Sequence, residues 1–213
     1  MTPLLVVLSS PSGAGKTTLA GRLLTVRRDV GRAISATPRL PRAGEVEGRD
    51  YYFLSDAEFE RRHQAGEFLE SATYSGNRYG TLRAEVDRLH KAGRHVLLVI
   101  EVAGARQVRA LYPEATLIFV LPPSGEALVH RLATRKTEPP EVLKRRLGIA
   151  MDELREVGVY DYVVVNDEIE HAVRELGAIL DAESRRVARQ RGLQARVEAI
   201  RRHLATAAEG LGK

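Results

Sequence analysis

The chain opens with an apolar run, Leu4-Leu5-Val6-Val7-Leu8, that gives way at once to Ser9-Ser10-Pro11-Ser12-Gly13-Ala14-Gly15-Lys16-Thr17-Thr18. An unbroken apolar run of this length reads as a strand covered on both faces, and the small residues before Lys-Thr-Thr read as a tight loop that opens a helix. Strand, loop and helix in that order stack backbone N–H groups at a helix N-terminus, where the dipole also favours an anion. Gly13 and Gly15 have no Cβ and let the backbone approach a phosphate closely. Lys16 can reach the β- and γ-phosphates, and the Thr17 hydroxyl can ligate magnesium. The usual spacing begins with glycine where Ser10 stands, and serine is still small. An ordinary glycine-rich turn is the bland alternative. The context instead favours a nucleoside triphosphate held by Ser10, Pro11, Ser12, Gly13, Ala14, Gly15, Lys16, Thr17 and Thr18.

With 213 residues and 44% of them hydrophobic, the chain suits one globular domain, or one domain carrying an insertion. No apolar stretch approaches the roughly 20 residues that span a bilayer. The first residues lack the charged region and cleavage site of a secretory leader, so a cytoplasmic location and no membrane partner are expected. The absence of cysteine excludes disulfides, thiolate zinc sites and cysteine nucleophiles. A net charge of +5 could serve bound nucleotides or a nucleic acid backbone. The arginines are interleaved with acids, which favours nucleotides and no nucleic acid partner. The one dense basic run, residues 184–191, reads as the solvated face of a terminal helix.

Further along, residues 30–34, 96–100, 115–120 and 162–165 read as buried parallel strands. Helical patterns cover residues 17–26, 82–92, 103–111, 125–135 and 141–157, with Leu19, Leu23, Leu24 and Val26 facing inward on the first. A last helix begins near Asn166-Asp167 and continues, with a break, past His203. Strands alternating with helices imply an α/β fold, a parallel β-sheet with flanking helices, whose ligands gather beyond the C-terminal strand ends. Residues 37–81 interrupt that rhythm with Pro, Gly and Arg, then short aromatic strands at 51–53 and 67–74. Ser55-Asp56-Ala57-Glu58 has capping-box spacing and starts a small helix between them. The expected division is a core of residues 1–36 and 82–213, with an inserted subdomain at 37–81.

Residues 35–51, Ser-Ala-Thr-Pro-Arg-Leu-Pro-Arg-Ala-Gly-Glu-Val-Glu-Gly-Arg-Asp-Tyr, closely resemble a signature of the guanylate kinases. Glu67-Phe68-Leu69-Glu70 and the block at 74–81 match that family's next segments in order, and Val163-Val164-Val165-Asn166-Asp167 matches near the end. The resemblance covers residues 4–180. It implies a phosphate-loop core, an inserted GMP-binding subdomain and a short lid at 134–146, with ATP and GMP as substrates. It also implies a GMP site made of Ser35, Arg39, Arg42, Tyr51, Glu70, Tyr79, Thr81 and Glu101. The chemistry agrees. Arg39 and Arg42 suit bidentate grip on a monophosphate, and the two phenols can donate to it. Guanine presents an N1–H beside an exocyclic amine, and the Glu70 carboxylate can accept from both. Ser35 and Thr81 offer hydroxyls to O6. The family usually shows Asp-Ile-Asp where this chain has Val99-Ile100-Glu101, so magnesium would rest on Thr17, phosphate oxygens and water.

Arg131 and Arg135 lie four apart and share a helix face, with Arg146 beyond a loop in which Lys136 replaces the family's usual glycine. The resemblance makes these the lid arginines over the ATP phosphates; Arg145 and Lys144 are expected to be solvated or ion-paired. Phosphoryl transfer is accelerated by alignment and positive charge. The candidate catalytic set is therefore Lys16, Arg135 and Arg146, with Arg39 and Arg42 holding the acceptor. Asn166 resembles an ATP contact by its place after the last strand, although a helix N-cap would explain it as well. A catalytically inactive binding module with this fold, or a small kinase with another acceptor, is the competing reading. A monomer or a homodimer is equally compatible.

Overall fold

The structure, a computed structural model, describes residues 2–133 and 140–211. From the N-terminus the chain forms β1 (Leu5–Ser9), α1 (Lys16–Val26), β2 (Val30–Arg32), β3 (Ser35–Thr37), β4 (Tyr52–Phe53) and α2 (Asp56–Gln64). It continues through β5 (Phe68–Tyr74), β6 (Asn77–Leu82), α3 (Arg83–Lys91), β7 (His95–Val99), α4 (Val102–Leu111) and β8 (Thr116–Leu121). The last elements are α5 (Gly125–Ala133), α6 (Pro140–Arg155), β9 (Tyr162–Val165), α7 (Ile169–Arg185) and α8 (Leu193–Leu211), with 3-10 turns at Glu156–Val159 and Val187–Arg189.

Five strands in the order β2-β7-β1-β8-β9 make a wholly parallel sheet, as the α/β reading requires. β1 lies in the middle. Its side chains alternate, so Leu4, Val6 and Leu8 pack with Leu19 and Leu23 of α1 and Val173 and Leu176 of α7. Leu5 and Val7 point the other way, into a cluster with Val86 and Leu89 of α3 and Val108 of α4. Two covered faces explain the uninterrupted apolar run, since each fully buried Leu or Val contributes about 1.5–3 kcal/mol. The loop after β1 therefore leaves from the centre of the sheet at its C-terminal edge.

A second sheet of four strands, β4-β3-β6-β5, stands beside that edge. β3 runs parallel to β4, while β6 is antiparallel to both β3 and β5. Phe59 of α2 closes its outer face on Phe68, Leu82 and Ala36. The β5–β6 hairpin turns through Ser75 at φ 48° and Gly76 at φ 81°, the two successive left-handed residues that a tight hairpin demands.

Several expectations are corrected. The run at 30–34 divides: β2 ends at Arg32, and the chain crosses to the second sheet, whose strands lie between residues 35 and 82. Ile34 marks the crossing, its N–H donating to the Glu85 carboxylate and not to a neighbouring strand. β9 is an edge strand, with Val163 48% and Val165 40% exposed, so only Val164 is buried as expected. Val26 at the end of α1 is likewise exposed. α7 begins at Ile169 with Glu168 at its N-cap, later than Asn166-Asp167, and Asn166 instead donates its Nδ2 to the Ala14 carbonyl. The basic run is no solvated helix face. The chain breaks there, and Arg189 folds back to donate to the buried Glu183 carboxylate at 2.9 Å and to the Glu114 carbonyl at 2.7 Å.

Candidate functional site

The loop between β1 and α1 has the shape its sequence calls for. Gly13 at φ 88° and Gly15 at φ 91° are both left-handed. A Cβ on Gly15 would come within 2.5 Å of the Asn166 amide nitrogen, so this position tolerates only glycine. Asn166 Nδ2 donates to the Ala14 carbonyl at 2.8 Å, and Arg131 Nη1 reaches the same oxygen at 3.3 Å while Nη2 donates to Asn166 O at 3.2 Å. Both residues thus brace the loop's backbone in the structure. The first turn of α1 carries no acidic residue, and Gly15 offers no side-chain cap, which leaves N–H groups and the dipole open to an anion. Ser10, 2% exposed, donates its hydroxyl to the Pro11 carbonyl at 3.0 Å and fits where glycine is usual.

The acceptor residues collect on the second sheet. Register sets Ser35 opposite Thr81, and Thr81 beside Glu70, so three polar side chains from three strands meet in one patch. Thr81 Oγ1 donates to Glu70 at 2.7 Å, and burial pushes the Glu70 carboxyl up to about 7 despite that bond. Arg39 grips Glu45 through two hydrogen bonds at 2.7 Å, which hold the Glu45 carboxyl down to about 2, and it donates to the Tyr79 hydroxyl at 3.2 Å. Its guanidinium also lies 4.9 Å from the Tyr51 ring centre, and burial raises the Tyr51 phenol, so that group stays a donor. Arg42 extends into the cleft.

One cleft of about 610 Å³ joins the two sets. It is lined by Gly13, Lys16 and Thr17 on one side and by Ser35, Glu70 and Tyr79 on the other. Between them Lys16 Nζ sits 2.9 Å from a Glu101 carboxylate oxygen and donates to the Ile100 carbonyl at 3.1 Å. Glu101, expected among the guanine-side residues, therefore pairs with the phosphate-loop lysine. Arg146 of α6 lines the cleft and donates to the Leu132 carbonyl at 3.3 Å, with Arg145 exposed at the rim. Arg135 and residues 134–139 of the expected lid lie outside the described residues.

Three residues of the site escaped sequence reasoning. Gly104 of α4 faces Glu70 so closely that a Cβ would collide with the carboxylate. Tyr74 closes the cleft beside Ser12, and Glu153 of α6 accepts a hydrogen bond from the Ser12 backbone. Nothing in local spacing marks Gly104 or Glu153, because each acts on a residue far away in the chain.

A profile described as "Guanylate kinase" matches residues 2–183. A protein named guanylate kinase from Symbiobacterium thermophilum is 49% identical over 186 residues, covering 87% of this chain and 88% of that one. A guanylate kinase of Nitrosospira multiformis is 45% identical over 186 residues, covering 87% and 89%. The chain belongs to the guanylate kinase family. The crystal structure of guanylate kinase from Anaplasma phagocytophilum superposes with a TM-score of 0.77 at 35% identity, over 93% of this chain and 95% of that one. The chain departs from the resemblance at Val99, which packs against the core cluster of β1 and adds no charge to the cleft. Helix α8 lies wholly beyond the matched residues.

Proposed function

We propose that the protein transfers the γ-phosphoryl group of ATP to GMP, and to dGMP, releasing ADP and the nucleoside diphosphate. The observation that carries this reading is the shared cleft, which places an anion-ready loop and a buried carboxylate-hydroxyl patch within one enclosure. ATP phosphates occupy the loop amides and draw Lys16 from Glu101, with Arg131 and Asn166 keeping the loop in shape. GMP lies on the second sheet, its base against Glu70, Ser35 and Thr81, and its phosphate against Arg39, Arg42, Tyr51 and Tyr79. A base with N1–H and an amine side by side satisfies Glu70. Adenine offers an acceptor at N1, which would set a lone pair against a Glu70 oxygen with no proton between them, and a buried group disfavours that strongly.

Among the described residues no group of three His, Cys, Asp or Glu side chains could hold a metal by itself. A hydroxyl donor at Thr17 beside a triphosphate fits magnesium, which commonly keeps several waters, and the bound ion would neutralise charge on the donor oxygens. The acceptor oxygen is already ionised near neutrality, so no general base is needed. Lys16, Arg135 and Arg146 stabilise charge on the transferring group while Arg39 and Arg42 hold the acceptor in line. The partners are these nucleotides, and the site of action is the cytoplasm. No described helix is long and apolar enough to cross a membrane.

A coupled assay of ADP release with ATP, magnesium and each of GMP, dGMP, AMP, UMP and CMP tests the reading. Turnover with the two guanylates and background rates with the others is the expected result. Equal acceptance of AMP, or no ADP with any acceptor, overturns it.

A further inference from the structure

The mouth of the phosphate loop is occupied by one of the protein's own carboxylates. The Ser12 backbone N–H donates to Glu153 Oε2 at 2.9 Å, across 141 positions of sequence. Glu153 is only 7% exposed, and its carboxyl belongs to α6. Burying a carboxyl is unfavourable unless a specific bond compensates, so an apolar side chain would pack here at lower cost. Burial pushes this carboxyl up to about 7; Glu101 beside it acts in the same direction, and Lys16 and the Ser12 N–H act against it. Ionised or protonated, the group keeps an oxygen that accepts from Ser12.

The position of Glu153 on its helix gives the bond a purpose. Arg146 is seven residues earlier, two turns away on the same face of α6. Leu143, Leu147 and Ala150 seat α6 on Leu128 and Leu132 of α5, a peripheral pair of helices outside the two clusters that cover the main sheet. The Glu153–Ser12 bond is thus a direct polar tie from the Arg146-bearing helix to the loop that receives the donor phosphates.

We propose that Glu153 is a positioning residue for phosphoryl transfer: by holding the Ser12 N–H it fixes α6 on the phosphate loop and so sets Arg146 against the transferring group. The inference rests on the kinase reading given above. Steady-state kinetics of the full-length protein with ATP, magnesium and GMP, for wild type, Glu153→Ala and Glu153→Gln, test it. Glutamine keeps the size and an acceptor oxygen, whereas alanine leaves the Ser12 N–H without its partner. The alanine variant should lose about 10- to 100-fold in kcat, the scale set by misplacing a group by an ångström, while its KM for GMP stays within about twofold. The glutamine variant should remain within about threefold of wild type in kcat. Hydrogen exchange at the Ser12 amide should quicken in the alanine variant and not in the glutamine variant. Unchanged kcat in Glu153→Ala overturns the proposal, as does an equal loss in both variants. Tighter ATP binding by the alanine variant with intact turnover also overturns it, since Glu153 would then be a competitor of the donor phosphates. Should Glu153→Ala fail to fold, Glu153→Asp replaces it: one methylene short, it must lose kcat where glutamine keeps it, and the reverse order overturns the proposal. A wild type that forms no ADP would instead refute the kinase reading, so the two failures are distinct.

Discussion

Glu70 carries opposite demands. Its carboxyl is pushed up to about 7 by burial, above its value in an unfolded chain, so the folded protein holds the proton more tightly. That contribution is fully present below the unfolded pKa and is lost as pH rises from about 4.5 through about 7. Glu153, also raised to about 7, acts in the same window. Glu70→Gln should therefore raise the melting temperature of the nucleotide-free protein at pH 8, by about 2–4 °C for each kcal/mol recovered, and leave it nearly unchanged at pH 5. The same variant should lose GMP turnover. Scanning fluorimetry at the two pH values, paired with the coupled assay, checks both halves. Gly104 supplies a second test, because its missing Cβ leaves room for the Glu70 carboxylate. Gly104→Ala should raise KM for GMP by about tenfold, equivalent to about 1.4 kcal/mol of lost acceptor binding, with KM for ATP little changed. A KM for GMP that does not move would show that Glu70 can shift without consequence.

At the scale of elements, α2 shows how local signals act and where they stop. Ser55 Oγ accepts from the Glu58 N–H at 3.1 Å, as the capping-box spacing demands. The reciprocal half of the box is absent, since the Glu58 carboxylate turns to Arg61 and Arg62 at 2.8 and 2.5 Å. Ser55→Ala should thus lower stability by about 1 kcal/mol through the remaining cap bond, measured by denaturant unfolding. The long periodic helices and the central strands were legible because burial on one or both faces writes itself into the spacing of apolar residues. β6 and β3 were not, because Asn77-Arg78-Tyr79-Gly80 and Ser35-Ala36-Thr37 owe their strand state to partners and their side chains to a ligand cleft. The phosphate loop and the acceptor set could be read from contiguous motifs. Glu153 and the Lys16–Glu101 pair could not, since they exist only once α6 and β7 are folded against the loop.

For the molecule as a whole, helix α8 stands apart. Val197, Ile200 and Leu204 are 41, 53 and 62% exposed, and the helix begins after Arg189 and Gln190 have already returned to the core. A chain ending at Gly192 should keep wild-type turnover and a melting temperature within about 2 °C, since little buried area leaves with the helix; a drop of 10 °C would show that α8 supports the fold. The centre of the protein is the reverse case. β1 has a hydrogen-bonded strand on each side and a layer of helices on each face. Partial openings begin at rims such as β9 and reach such a strand last. The anion cradle hung from its end is thereby anchored on the strand that opens last.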